Sequence, residues 1–311
     1  MHSAMAGVPR IAVFPKCYME ELCVTRSLSL LQWIEMAAKL PLEGLELYPG
    51  FFASFDDGYL NEVRAAMQRH CLRMPMLCAL PDFTQPSAAA RRTEVERQKR
   101  MIDLVAFFDA PAPRTCRVLS GQRRPGVSED DGVAMVVECI EHVLPYAAER
   151  GVILALENHY KDNYWAYPEF AQRLPVFLRI VQAIDSPWFG VNYDPSNALL
   201  AGENPLTVLE AVKDRVVSMH ASDRRLLPGY TLADLQVQEG RTGYAQFLHH
   251  GEIGTDLNDY PTIFRVLHDA GFSGWVSIED GLNGPDELRR SAAFLHAALS
   301  RTFGTSEHEA R

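Results

Sequence analysis

Short apolar runs rich in β-branched residues recur along the chain, separated by longer stretches of helical periodicity. Eight of these runs read as strands: IAVF (11–14), GLELY (44–48), MPMLCAL (74–80), CRVLS (116–120), VILALE (152–157), FGVNYD (189–194), VVSMH (216–220) and GWVSIE (274–279). Between them, apolar positions at three- and four-residue spacing predict helices over 27–40, 59–70, 90–108, 129–151, 168–184, 205–214, 259–271 and 285–303. Ser27 is the expected N-cap of the first helix. AERG ahead of the fifth strand and DAG ahead of the eighth place a glycine where a helix must stop.

Strands that are apolar almost without interruption are covered on both faces, as in a parallel sheet between layers of helix. Eight strand–helix units are the number that closes a TIM barrel. The rival is a doubly wound open sheet, but no GxGxxG follows a strand and opens a helix. The expectation is a single (β/α)8 domain over residues 1–311, its core at about 10–303. The one long irregular stretch, 222–249, joins the seventh and eighth strands and reads as an active-site loop. The polar tail TSEHEAR is expected to fray.

Four consecutive strands finish on a metal-binding side chain: Glu157, Asp194, His220 and Glu279. One of these alone reads as a strand-end cap. Four at the ends of neighbouring barrel strands predict a shared site, because those side chains converge across the mouth. Three carboxylates and an imidazole suit Mn²⁺ first, then Mg²⁺ or Co²⁺, with Zn²⁺ admissible and Cu(I) disfavoured. Without a cation the carboxylates would repel one another and raise their pKa values.

The ordered series LALENH, VNYDPSN, VVSMHASD and HGEIGTDLNDYPTIFRVLHDAGFSGWVSIED resembles the xylose isomerase-like TIM barrels. That family takes in sugar isomerases and epimerases, inosose dehydratases and, more remotely, endonuclease IV. The resemblance spans nearly the whole chain. It implies that Glu157, Asp194, His220 and Glu279 bind the metal, and that Glu157 and Glu279 exchange a proton with carbon beside a carbonyl while the metal stabilises the enediolate. Carboxylate proton transfer of this kind accelerates a reaction by about 10²–10⁴-fold. On this reading Glu157→Gln or Glu279→Gln abolishes turnover and leaves the fold intact.

The chain departs from the ketose epimerases at three positions. Asn197 stands where they carry a histidine, Asn163 replaces a second glutamate, and Leu226 replaces an arginine. A narrow ketose 3-epimerase is therefore disfavoured. His159, two places beyond Glu157 on the same face, is the further catalytic candidate, and similar Glu-x-His pairs occur in relatives that break a bond beta to a carbonyl. Glu46, Tyr48, Asn197, Asp223, His250 and Trp165 are candidates for substrate contact, with Tyr160, Tyr164 and Tyr167 crowding the same loop as Trp165. Asp223 also suits a role orienting His220 or capping the next loop. Lys16 reads as a surface lysine, and at most one of His249 and His250 faces the mouth.

Composition narrows the partners. The net charge is −10, from 40 acidic and 30 basic side chains, which disfavours a phosphate backbone as ligand and so a nuclease. No apolar run is long enough to span a membrane, and the N-terminus MHSAMAGVPR lacks a secretory stretch. The 6 cysteines form no CxxC pair and read as reduced thiols in a cytoplasmic protein. The expected substrate is a small carbohydrate, unphosphorylated for want of a phosphate-cradling glycine loop, and a homo-oligomer is compatible. The leading reading is a divalent-metal isomerase or epimerase. The alternative is a lyase on the same site, of the 3-keto-glycoside C-deglycosidase or inosose dehydratase type. Four intact ligands argue against an idle barrel.

Overall fold

The computed structural model describes residues 7–108, 114–161, 165–236, 247–279 and 281–304. Asn163, Tyr164, the tail from 305 and residues 237–246 of the long loop lie outside the described residues. Eight strands form one sheet: β1 (Arg10–Val13), β2 (Gly44–Leu45), β3 (Met76–Leu77), β4 (Arg114–Val118), β5 (Val152–Glu157), β6 (Phe189–Tyr193), β7 (Val216–Ala221) and β10 (Trp275–Ile278). Their order is β2-β1-β10-β7-β6-β5-β4-β3, with every ladder parallel. The single bridges Gly44↔Arg73 and Leu47↔Leu77 bring β2 against β3 and nearly complete the ring. The architecture is a (β/α)8 barrel. β2 and β3 are shorter than their apolar runs because only these bridges pair them across the seam.

The surrounding helices are α1 (Leu30–Ala37), α2 (Asp57–Arg69), α3 (Ala88–Phe107), α4 (Glu129–Glu149), α5 (Leu174–Ala183), α7 (Pro205–Val212), α9 (Tyr260–Asp269) and α10 (Pro285–Phe303). A short α6 (Pro195–Leu200) follows β6 directly. Ser29, not Ser27, caps α1. It accepts from Gln32 N at 3.2 Å while its own N–H donates to Gln32 Oε1 at 2.9 Å, a reciprocal box that Ser27 has no partner to make. Gly151 and Gly271 adopt φ of 62° and 77°, the left-handed conformation that ends α4 and α9 without a Cβ penalty. α5 starts at Leu174 rather than 168, because Phe170 N donates to Gly121 O at 2.7 Å and draws 168–172 across the top of β4.

The stretch expected to be irregular after β7 carries regular elements in its described residues. β8 (Arg224–Leu226) and β9 (Leu248–His250) pair antiparallel as a separate ribbon, with α8 (Leu232–Gln236) between them. A second device ties the rim together. Asp82, beyond β3, accepts from Gln122 N at 3.1 Å, Gln122 Nε2 at 2.9 Å and Arg124 Nη2 at 2.5 Å, all beyond β4. Burial pushes the Asp82 carboxyl up, but Arg124 and Gln122 outweigh it and hold the group below the usual carboxylate range. Asp82→Asn should therefore cost about 2–3 kcal/mol at neutral pH in urea unfolding. A depressed carboxylate stabilises the fold above its unfolded pKa of about 4 and loses that contribution as pH falls through the folded value. The gap between wild type and variant should close as pH drops below about 4. A gap that stays constant to pH 3 would refute the assignment.

Candidate metal centre and active site

Parallel register places four strand ends at one level. Glu157 is the last residue of β5 and pairs with Asn192 of β6, two residues before Asp194. On the far side His220 of β7 pairs with Ser277 of β10, two residues before Glu279. Alternation along each strand turns these side chains into the barrel. Each of the four offers a ligand atom within 4.8 Å of the others, and all four residues are buried.

Each candidate ligand is oriented by its own neighbours. Asp194 caps α6 through Oδ1, which accepts from Ser196 N at 2.7 Å, Asn197 N at 3.1 Å and Ser222 Oγ at 2.7 Å. Its Oδ2 is buried without a hydrogen-bond partner. Asn158 clamps the Asp194 backbone, donating to its carbonyl at 2.7 Å and accepting from its N–H at 2.8 Å. Glu157 accepts from Arg117 Nη1 at 2.8 Å and from Asn197 Nδ2 at 3.1 Å. His220 directs Nδ1 at Glu157 Oε1, 3.3 Å, and Glu279 Oε1, 3.8 Å. Its Nε2 lies 2.9 Å from Glu46 Oε2, so the Nε2 proton goes to Glu46 and Nδ1 faces the cluster. Glu279 lies 3.6 Å from Lys16 Nζ.

The electrostatics are those of an anionic pocket. Burial, then Glu279 and Glu157, push Asp194 up to about 7. Burial would raise Glu157 too, but His220 and Arg117 hold it down at about 2. Burial is likewise outweighed at Glu279, where Lys16 and His220 keep the carboxyl well below its usual range. His220 is pulled down by burial and raised well above its ordinary value by Glu46, Glu157 and Glu279. The donor set fits a divalent cation: a buried carboxylate oxygen with no donor, beside carboxylates whose repulsion a cation would relieve.

The other sequence candidates take definite places around the cluster. Glu46 lies next to His220. It is fully buried beneath His220, accepting also from Cys78 Sγ at 3.2 Å and Ser277 Oγ at 2.5 Å, because the chain beyond β2 keeps its strand-like alternation. Cys78 is thus part of the support for His220. Tyr48 packs on Phe14 and Phe51, ring centroids 6.5 and 5.4 Å away, on the wall of a cavity beside β2. Asn197 holds the candidate ligand Glu157. Asp223 organises the GEIGTDLN loop, accepting from Arg224, Gly254, Asp256 and Asn258 N at 2.9 to 3.3 Å. Trp165 is buried, only 8% exposed. Lys16 is no surface lysine: its ammonium touches the cluster.

His159 lies beside the cluster. Its N–H donates to the Glu157 carbonyl at 2.9 Å, and its Nδ1 stands 3.3 Å from Glu169 Oε2. Burial pulls the imidazole down, but Glu169 and Glu157 raise it overall. The other oxygen of Glu169 accepts from Ser120 N at 2.6 Å and Ser120 Oγ at 2.5 Å. His250 and His249 of β9 line a cavity of about 350 Å³ with Arg224, Leu282 and Asn283. Sequence reasoning missed Arg117 and Glu169. An arginine inside the apolar run CRVLS was a usable signal, since a charge on a covered strand needs a partner. Glu169 carried none, because its segment read as helix.

Comparison with known proteins agrees with the geometry. The xylose isomerase-like TIM barrel family matches residues 34–298. A 3-oxo-isoapionate decarboxylase from Pectobacterium atrosepticum is 36% identical over 91 residues, 29% of this chain and 29% of that protein. An inosose dehydratase from Geobacillus thermodenitrificans is 22% identical over 160 residues, 50% of this chain and 49% of its own. The chain thus spans half or less of the length of these curated relatives. Among solved structures, a D-tagatose 3-epimerase-like protein superposes with a TM-score of 0.72 at 17% identity, covering 94% of this chain and 98% of that one. The IolI protein with a bound zinc atom gives 0.72 at 14% identity, covering 94% and 99%. At such identities the structural likenesses speak for the fold alone. With a barrel of this topology, four acidic and imidazole groups at its mouth, and a family match over most of its length, the chain belongs to the xylose isomerase-like TIM barrels.

Proposed function

We propose that Glu157, Asp194, His220 and Glu279 hold a divalent cation, Mn²⁺ foremost with Mg²⁺, Co²⁺ or Zn²⁺ as alternatives. On this reading the protein is a carbohydrate isomerase or epimerase that begins by removing a proton beside a carbonyl. The unit that does so is a single barrel domain. The observation that carries the proposal is Asp194 Oδ2, buried without a donor in a cluster whose ligand atoms lie within 4.8 Å of one another. A cation bound there would polarise the carbonyl and the hydroxyl next to it.

The protein's own groups supply the proton transfers. Glu157 and Glu279 both border His220 Nδ1, and each is kept ionised by its own cation, Arg117 for one and Lys16 for the other. A carboxylate held this low is ready to accept a proton at neutral pH but is a weak base. The substrate C–H must therefore be made acidic by polarisation of its carbonyl. The strands Arg224–Leu226 and Leu248–His250, at the two ends of the stretch 222–249, are the proposed border of the substrate site, with His250 beside Arg224 and Asn283.

A second reading, the lyase, is favoured by one observation: Glu169 holds His159 through Nδ1, which leaves Nε2 to serve a departing hydroxyl or aglycone. The sequence relatives named as a decarboxylase and as inosose dehydratases support this direction. Both readings share the first step. Metal-loaded protein incubated in deuterium oxide with keto sugars, an inosose and a 3-keto glycoside should catalyse exchange beside the carbonyl, and chelation should abolish it. Product analysis then separates epimer from eliminated fragment. Exchange that survives chelation, or none with metal bound, rules out the proposal.

A further inference from the structure

The wall between α2 and α3 is the least tightly joined part of the barrel. Single bridges alone link β2 with β3 there. Outside that seam α2 packs on α1 and α3 on α4, while α2 meets α3 through Arg64, whose Nη1 donates to Phe107 O at 3.2 Å and whose guanidinium lies 4.3 Å from the centre of the Phe107 ring. The space between them is a cavity of about 680 Å³, within the range of small-molecule sites. Its wall is apolar, built from Tyr48, Phe55, Leu60, Met101, Leu104 and Phe107. Phe55 is 53% exposed although its ring stacks on Phe52 at 5.4 Å. A large aromatic beside an unfilled apolar space is surface that an occupant would take out of water.

The polar groups of this cavity are few and placed at its base and rim. Gln98 lines it and is 1% exposed. Its Nε2 donates to Arg117 O at 3.0 Å and lies 3.3 Å from Cys116 Sγ, while among the described residues its Oε1 accepts nothing. Arg97 and Arg100 stand at the edge. Arg97 reaches Glu94 at 3.2 Å, whereas Arg100 forms no ion pair among the described residues. Asp103, the acidic group of the lining, is occupied by Tyr146 Oη at 2.7 Å and Arg150 Nε at 2.5 Å. The charge left at the rim is positive, and the body behind it is apolar.

We propose that this cavity, whose lining includes none of Glu157, Asp194, His220 and Glu279, is a binding site for a small molecule with an apolar body and one anionic end. An aliphatic acyl carboxylate and an aromatic carboxylate share that chemistry. The carboxylate pairs with Arg100, the body lies on Met101, Leu104 and Phe107, and a hydroxyl on the body would satisfy Gln98 Oε1. The proposal is independent of the reaction at the Glu157 cluster.

Calorimetric titration of the full chain with decanoate and with 2-naphthoate tests it, and the two probes separate acyl from aromatic occupants. One of them should bind saturably with one site per chain, and the neutral 2-naphthamide should bind more weakly than 2-naphthoate. Arg100→Glu, at an exposed position, should weaken binding about tenfold or more. Leu104→Trp, which fills the space, should abolish it. A thermal melt checks that each variant folds, and if Leu104→Trp does not, Arg100→Glu decides. Failure of both carboxylates to bind at about 5 mM, or binding undiminished by Arg100→Glu, overturns the site. Equal binding of the amide overturns the anionic end. A wild-type dimer that Leu104→Trp converts to monomer assigns the cavity to a second copy of the chain and overturns the small-molecule reading.

Discussion

Glu279→Gln should lower turnover by about 10³-fold or more and leave the thermal melt nearly unchanged. The amide keeps the size of the side chain but loses the negative charge that a cation and a transferred proton both require. Its folding cost is small for a structural reason. The carboxylate sits at the edge of the cluster, and its partner Lys16 retains 18% side-chain exposure, so the freed ammonium can turn to water. Activity and a melt measured on one preparation decide the matter. A Glu279→Gln protein with wild-type turnover removes the proton-transfer mechanism, whatever metal it binds.

Arg117→Met should destabilise the fold by about 3–5 kcal/mol, the largest stability effect expected in the barrel interior. Arg117 is 4% exposed and Glu157 fully buried, and their Nη1–Oε2 contact is 2.8 Å. Removing the guanidinium strands a carboxylate away from water. Glu157→Gln strands the guanidinium in turn, so that variant should lose stability as well as turnover. This corrects the expectation, drawn from the chain alone, that it leaves the fold intact. The double variant Arg117→Met/Glu157→Gln strands neither charge and should recover part of the loss. A urea-unfolding cycle over the four proteins measures the coupling, and additive single effects would sink the account. Repeating it with saturating Mn²⁺ adds a check, because a cation beside Glu157 should lessen the penalty of losing Arg117.

How much of this was legible in the chain differs by element. The strand VILALE appears as Val152–Glu157, and the last helix spans 285–303 as its periodicity predicts, because both carry strong patterns over their full length. Pro168 to Gln172 failed: its spacing suits a helix, yet pairing of Phe170 with Gly121 and of Glu169 with Ser120 overrides that local preference. Lys16 was misjudged for a related reason. It follows β1 by three residues, and only closure of the ring sets β1 beside β10 and brings its ammonium to Glu279.

Along the chain, strand ends and helix stops were enough to determine the architecture and to single out Glu157, Asp194, His220 and Glu279, since both depend on order and spacing within short segments. Tertiary structure decided what surrounds them: Glu46 under His220, Arg117 on Glu157, Lys16 on Glu279, Glu169 on His159, and a cavity between α2 and α3. Those pairings join residues from 10 to more than 200 positions apart. Periodicity reports which face of a strand or helix a residue occupies. Which neighbour it meets there depends on the register between elements, and that is set only when the barrel packs.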